Sequence, residues 1–317
     1  MATNLSTSNL WWISLVQCPI CYEKPFKENL RGKLKCLSCD TKFELVKNRI
    51  DWTPEHQITQ GYDRPKNKWD LLKRCINPLS NPLLPFRYWI KLRTEQFYKR
   101  TINDNRLAES WANHYLSGIR LPENATILDH GCGRGRSIGL LNQNGFKVVG
   151  QDMIADNWWK NFDKNGFQIL PPNYTKLPWR DSSFDLVTNI MVIGYLPREK
   201  LDCFVKEICR VLKPNGYWLI LEANDKSLGR RLFNREYENP LPLNTMRVFA
   251  KNHKFKEIDV SYEAFYAPFF PILINFIRKQ CGPWQFDISD YDSWLAKQIS
   301  PEKRGQWLMR LKCLKNE

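Results

Sequence analysis

Residues Thr126 to Gly139 read TILDHGCGRGRSIG, and this stretch decides the fold. A short apolar run closes on an acid, Asp129, and breaks into a loop with glycine at 131, 133 and 135. A helix-like segment follows. Glycines at alternate positions remove the Cβ atoms that would block a close approach of backbone to ligand. The start of the next helix turns free N–H groups and the positive end of its dipole toward the same place, which favours an anionic group. The pattern is therefore strand, ligand-wrapping loop, helix. A dinucleotide fingerprint would need a third glycine at position 136, where Arg136 stands, and the Gly-Lys-Ser/Thr of a phosphate-cradling P-loop is missing.

Downstream segments keep the rhythm of an alternating α/β domain. Asn144-Gly145 is a helix stop, and Phe146–Gly150 reads as a second buried strand running toward Asp152. An acid about 20 residues past the glycine loop can accept hydrogen bonds from both hydroxyls of a ribose. Phe184–Val192 reads as a strand lying beside the first, and Leu201, Phe204, Val205, Ile208 and Leu212 recur at helical spacing. Lys213-Pro214-Asn215-Gly216 breaks that helix, and YWLILEA starts a fifth strand. A helix is expected over 244–255, a sixth strand over 256–262, and an antiparallel seventh over 306–314.

Taken together, LDHGCGRG, LPWRDSSFDLV and EICRVLKPNGYWLILE resemble, in order and spacing, the motifs of class I S-adenosylmethionine-dependent methyltransferases with a type 11-like core. The resemblance is close over about 107–224. It implies a Rossmann-like seven-stranded methyltransferase sheet with helices on both faces. It also implies S-adenosylmethionine as cofactor, contacted by Asp129, Gly131, Gly133, Gly135, Asp152, Met153, Asn173, Tyr174 and Asn189. Two departures stand out. Asn173 takes the place of an aspartate that contacts the adenine amino group, and Gly194-Tyr195 replaces a histidine pair after the fourth strand. No general base is assigned. His130, inside the glycine motif, reads as a packed imidazole.

The head of the chain carries Cys18-Pro19-Ile20-Cys21 and Cys36-Leu37-Ser38-Cys39, two CxxC knuckles 14 residues apart. Each knuckle presents two thiolates, and two knuckles complete a tetrahedral Zn2+ site. The segment CLSCDTKFELVKNRIDW resembles the end of a zinc ribbon. A unit this small depends on metal for its folding energy. The remaining six cysteines read as reduced thiols, and together with the knuckles they suggest a reducing cytoplasm as the expected location.

Three parts follow: a zinc ribbon over 1–60, a basic, proline-broken helical linker over 61–106, and a methyltransferase domain over 107–317 with an aromatic insertion at about 263–303. The linker holds 11 Lys/Arg against 4 Asp/Glu, and the whole chain has a formal charge of +15. Pro85–Arg100 mixes aromatics with bases, which suits a solvated helix, an RNA surface or a face on anionic membrane. No apolar run approaches the ~18 residues of a membrane span, and no secretory leader is expected. The leading expectation is methyl transfer to a small-molecule, lipid-like or glycan acceptor. An rRNA/tRNA methyltransferase and a non-catalytic adaptor built on the ribbon are the alternatives.

Overall fold

The computed structural model describes residues 11–23, 26–28, 33–53, 105–162, 164–171, 174, 176–228, 240–263 and 296–315. The basic linker from 61 to 104, most of the aromatic insertion (264–295) and Asn173 lie outside the described residues.

Eleven strands form one sheet: β1 (Phe26–Glu28), β2 (Lys33–Cys36), β3 (Lys42–Val46), β4 (Arg49–Asp51), β5 (Thr126–His130), β6 (Lys147–Asp152), β7 (Gly166–Ile169), β8 (Phe184–Ile190), β9 (Leu212–Ala223), β10 (Phe255–Glu263) and β11 (Gln306–Cys313). Their order is β1-β2-β3-β4-β7-β6-β5-β8-β9-β11-β10. From β7 to β9 every pairing is parallel, and β11 inserts antiparallel between β9 and β10. The last seven strands in that order are the expected seven-stranded α/β sheet. The strand order reverses between β5 and β8, so the carboxyl ends of β5, β6 and β8 define the crevice where ligands bind in open α/β sheets.

Apolar layers cover both faces. Helix α2 (Arg136–Gln143) buries Ile138, Leu140 and Leu141, which join Ile127, Leu186 and Leu219 in one layer. Helix α3 (Leu201–Val211) buries Leu201, Phe204, Val205, Ile208 and Val211 in the other, with Trp218 and Ile220 of β9. Each such side chain withdrawn from water is worth roughly 1.5–3 kcal/mol. Helix α1 (Asn105–Tyr115) precedes the core, and helix α4 (Leu243–Asn252) joins the α3 layer through Met246 and Ala250.

Several boundaries differ from the sequence expectation for local reasons. β8 ends at Ile190 rather than 192 because Met191 turns left-handed, at φ 58. Helix α3 stops at Val211, where Leu212 becomes extended, so β9 begins before the Lys-Pro-Asn-Gly turn and carries it as an irregularity. Helix α4 is shorter than expected and ends at Asn252. Strand β7 has no counterpart in the sequence reading: four buried residues, Gly-Phe-Gln-Ile, give no periodicity to detect.

The head of the chain is continuous with the sheet. Its β4 pairs in parallel with β7, Arg49 opposite Phe167 and Asp51 opposite Ile169, so the ribbon extends the sheet. Trp12, fully buried, lies across the junction, where a Cβ on Gly166 would meet its ring at 2.4 Å. The N–H of Gln17 donates to the Pro178 carbonyl at 3.0 Å, and that of Arg180 donates to Leu15 at 2.8 Å. Asn48 Nδ2 donates to the carbonyls of Phe162 and Asn165. Trp52 Nε1 donates to Gln168 Oε1 in the core of the junction. None of the described helices is long and apolar enough to cross a membrane.

Candidate cofactor crevice and metal centre

β5 delivers the glycine loop to the carboxyl edge. All three loop glycines adopt left-handed backbone, with φ 78 at Gly131, 52 at Gly133 and 85 at Gly135. Two of them are bare because protein packs there: a Cβ on Gly131 would meet Val192 at 2.3 Å, and one on Gly135 would meet Phe162 at 2.9 Å. Gly133 differs. Nothing lies within 4 Å of its missing Cβ, so the loop is open at this residue.

The loop is tied from the β6 side. The N–H groups of Gly131 and Cys132 donate to the Gln151 carbonyl at 2.8 and 3.1 Å. At the tip of β6, Asp152 Oδ2 accepts the Gly133 N–H at 2.9 Å, and Oδ1 accepts the Ile154 N–H at 3.2 Å. Asp152 therefore faces the loop and is partly exposed, as is Met153 beside it. Trp159 Nε1 donates to the Gly133 carbonyl at 2.8 Å while its ring stacks on Phe167 at 4.6 Å. Sequence reasoning missed Trp159. Its one signal was a tryptophan pair after the second strand, which carries no motif.

Other expected residues turn inward. Asp129 is 2 % exposed and accepts the Thr188 hydroxyl at 2.8 Å. Burial pushes its carboxyl up to about 7, the Thr188 bond pulls the other way, and the Asp152 charge adds to the rise. Asn189 is fully buried. Its Nδ2 donates to the His130 carbonyl at 3.0 Å and its Oδ1 accepts from Trp218 Nε1 at 2.8 Å, which makes it a tie between strands. Tyr174 and His130 do meet, hydroxyl to Nε2 at 2.9 Å, with Phe204 edge-on to the imidazole at 5.1 Å. Burial lowers His130 to about 4, so this imidazole is neutral at physiological pH and packed, as its sequence context indicated. Tyr195, after β8, is exposed.

In the ribbon, Cys18, Cys21, Cys36 and Cys39 bring their sulfurs within 4.8 Å of one another. The Sγ pairs Cys18–Cys39 and Cys21–Cys36 are 3.7 and 3.5 Å apart. A tetrahedron with Zn–S bonds of about 2.3 Å has edges of about 3.8 Å, so the thiols fit a Zn2+ ion. The residue after each knuckle, Tyr22 and Asp40, takes left-handed backbone, φ 64 and 59, and thereby closes its turn.

Residues 128–220 match the family model described as a methyltransferase domain. The matched segment begins within the glycine motif and ends within β9, so the crevice lies inside it. Three curated relatives illustrate the match. A sterol 4-C-methyltransferase of Caenorhabditis elegans is 31% identical over 144 residues, 41% of this chain and 42% of the relative. A demethylmenaquinone methyltransferase of Lactococcus lactis is 34% identical over 142 residues, 41% of this chain and 54% of the relative. A tRNA (carboxymethyluridine(34)-5-O)-methyltransferase of Arabidopsis thaliana is 34% identical over 113 residues, 34% of this chain and 27% of the relative. The chain thus spans about half or less of the length of each of these relatives.

Proposed function

We propose that this protein is an S-adenosylmethionine-dependent methyltransferase whose acceptor is a small, lipid-like or glycan molecule. The observation that carries the reading is the pairing of an open glycine, Gly133, with a carboxylate, Asp152, at the tips of adjacent parallel strands. Asp152 is the acceptor for ribose hydroxyls. The glycine loop, open at Gly133, admits the amino-acid end, and Met153 flanks the base. Asn173 and Tyr174 belong to the loop expected to reach the adenine. S-adenosylmethionine bound there would supply a methyl group made electrophilic by its sulfonium. The chain's own residues then bind, orient and exclude water, which can account for most of the rate of such a transfer.

The acceptor reading draws on the apolar insertion in the sequence and on the sterol and quinone acceptors named for two of the relatives. A second reading, RNA as acceptor, draws on the +15 charge and the tRNA-modifying relative. For the head we propose a resident Zn2+ held by Cys18, Cys21, Cys36 and Cys39. The domain limits at 60 and 106 and the cytoplasmic location remain proposals of the same kind.

Two measurements test the reading. Calorimetric titration with S-adenosylhomocysteine should show saturable binding, and its absence leaves only a scaffold or adaptor. Transfer of labelled methyl groups to fractionated cell extract should put label in lipid or small metabolites. Label in RNA instead would overturn the acceptor class.

A further inference from the structure

The loop after β8 touches the glycine loop directly. Met191 reverses the chain, its N–H donating to the Leu221 carbonyl at 2.7 Å. Val192 then lies so close to Gly131 that a Cβ on the glycine would meet Val192 Cγ2 at 2.3 Å. A carboxylate on the next strand holds Val192 there. Glu222, near the end of β9 and 2 % exposed, accepts the N–H of Val192 at 2.6 Å and that of Ile193 at 2.5 Å, both on Oε1. A charge-bearing group at this depth is unfavourable unless its oxygens are hydrogen-bonded. Here the bonds go to main-chain donors at the start of the short turn Ile193–Tyr195. Without Glu222 both donors would lose this partner, the one on Ile193 in a buried position, and Ile193, itself fully buried, would lose its anchor.

The glycine loop is thus gripped from two sides. Gln151, Asp152 and Trp159 hold it from the β6 side, and Val192 backs it from the β8 side. We propose that Glu222 is a positioning residue which, by fixing the backbone of Val192 and Ile193, holds the glycine loop in its ligand-admitting shape from two strands away. The naming of the ligand rests on the function proposed above; the contact chain from Glu222 to Gly131 does not.

Hydrogen exchange on the full-length, ligand-free protein tests it. In Glu222→Ala, peptides covering 191–195 and 130–136 should lose protection together, by about tenfold or more. Peptides covering 42–46 and 306–313 should keep theirs. Glu222→Gln retains an oxygen able to accept the same N–H groups, so it should restore most of the protection at both loops. Loss confined to 191–195 would overturn the proposal, because Glu222 would then hold only its own turn. Should Glu222→Ala fail to fold, Val192→Ala removes the packing and leaves the carboxylate. It should deprotect 130–136 while sparing 193–195, and an unchanged 130–136 would equally overturn the proposal. S-adenosylhomocysteine titration of the same proteins separates the two readings. If the wild type does not bind, the proposed function fails and the exchange result stands. If it binds, affinity should fall about tenfold in Glu222→Ala and recover in Glu222→Gln.

Discussion

The Asp152 carboxylate accepts the main-chain N–H of Gly133 at 2.9 Å, joining the tip of β6 to the most open point of the glycine loop. This one bond places the proposed sugar acceptor and the proposed amino-acid cradle side by side. Asp152→Ala removes the ribose acceptor and releases the loop. A hydrogen bond to a charged group is worth about 1.5–3 kcal/mol, so affinity for S-adenosylhomocysteine should fall roughly ten- to hundredfold, as read by calorimetry.

Gly133→Arg is the sharper version of the same test. The residue sits at φ 52 with nothing within 4 Å of its Cβ position, so an arginine there meets open crevice rather than protein. The left-handed backbone costs a non-glycine residue about 1–2 kcal/mol, which the fold can absorb. Binding should vanish while the circular dichroism spectrum stays that of the wild type.

Asp129 gives a pH prediction whose sign follows from its burial. Its folded value, about 7, lies above the ordinary 3.8, so the folded chain holds this proton more tightly than the unfolded one. Its contribution to stability is therefore complete below a pH of about 4 and is lost as pH rises toward about 7. Each unit of displacement corresponds to about 1.4 kcal/mol. Asp129→Asn carries no titrating group. Urea unfolding across that window should show the variant gaining on the wild type as pH rises, by up to a few kcal/mol.

Metal removal should act beyond the ribbon. Chelation should release one Zn2+ per chain, counted by elemental analysis, and unravel β1 to β4. Because β4 is the neighbour of β7, exchange protection should also fall in 166–169, while β10 and β11 keep theirs. A head that stays folded without metal would refute the zinc assignment.

Gly166→Ala probes the same junction without touching a thiol. The new methyl group would collide with the ring of Trp12, whose nearest atom stands 2.4 Å away. Overpacking of this kind costs about 1–3 kcal/mol, and thermal unfolding should register it.

The local signals in the sequence were faithful where chemistry forces a residue type. The glycines at 131, 133 and 135 announced a loop bared for close approach, and the structure leaves it open at Gly133, while all three take left-handed backbone. The pairs Cys18/Cys21 and Cys36/Cys39 announced a four-thiol cluster, and their sulfurs converge. Leu201, Phe204, Val205 and Ile208 announced a helix face, and that face is buried. Less legible was anything set by distant pairing. β7 is too short to show a period, and no local pattern says that Arg49–Asp51 will align beside it from more than 100 residues away. The roles of Trp159 and Glu222 were hidden for a related reason. Each acts through main-chain groups of another segment, which leave no mark on the partner's residue types.

The union of ribbon and sheet also settles what lies at the rim. A parallel strand with one flank bare offers a row of donors and acceptors to any passing chain, a known route to self-association. In this protein β7 never shows that flank. The terminal strand on that side is β1, three residues long, with Lys27 and Glu28 in its span. A version trimmed of its first 53 residues would lose its stopper as well as its metal, and oligomers propagating edge to edge through β7 are the outcome to look for by light scattering.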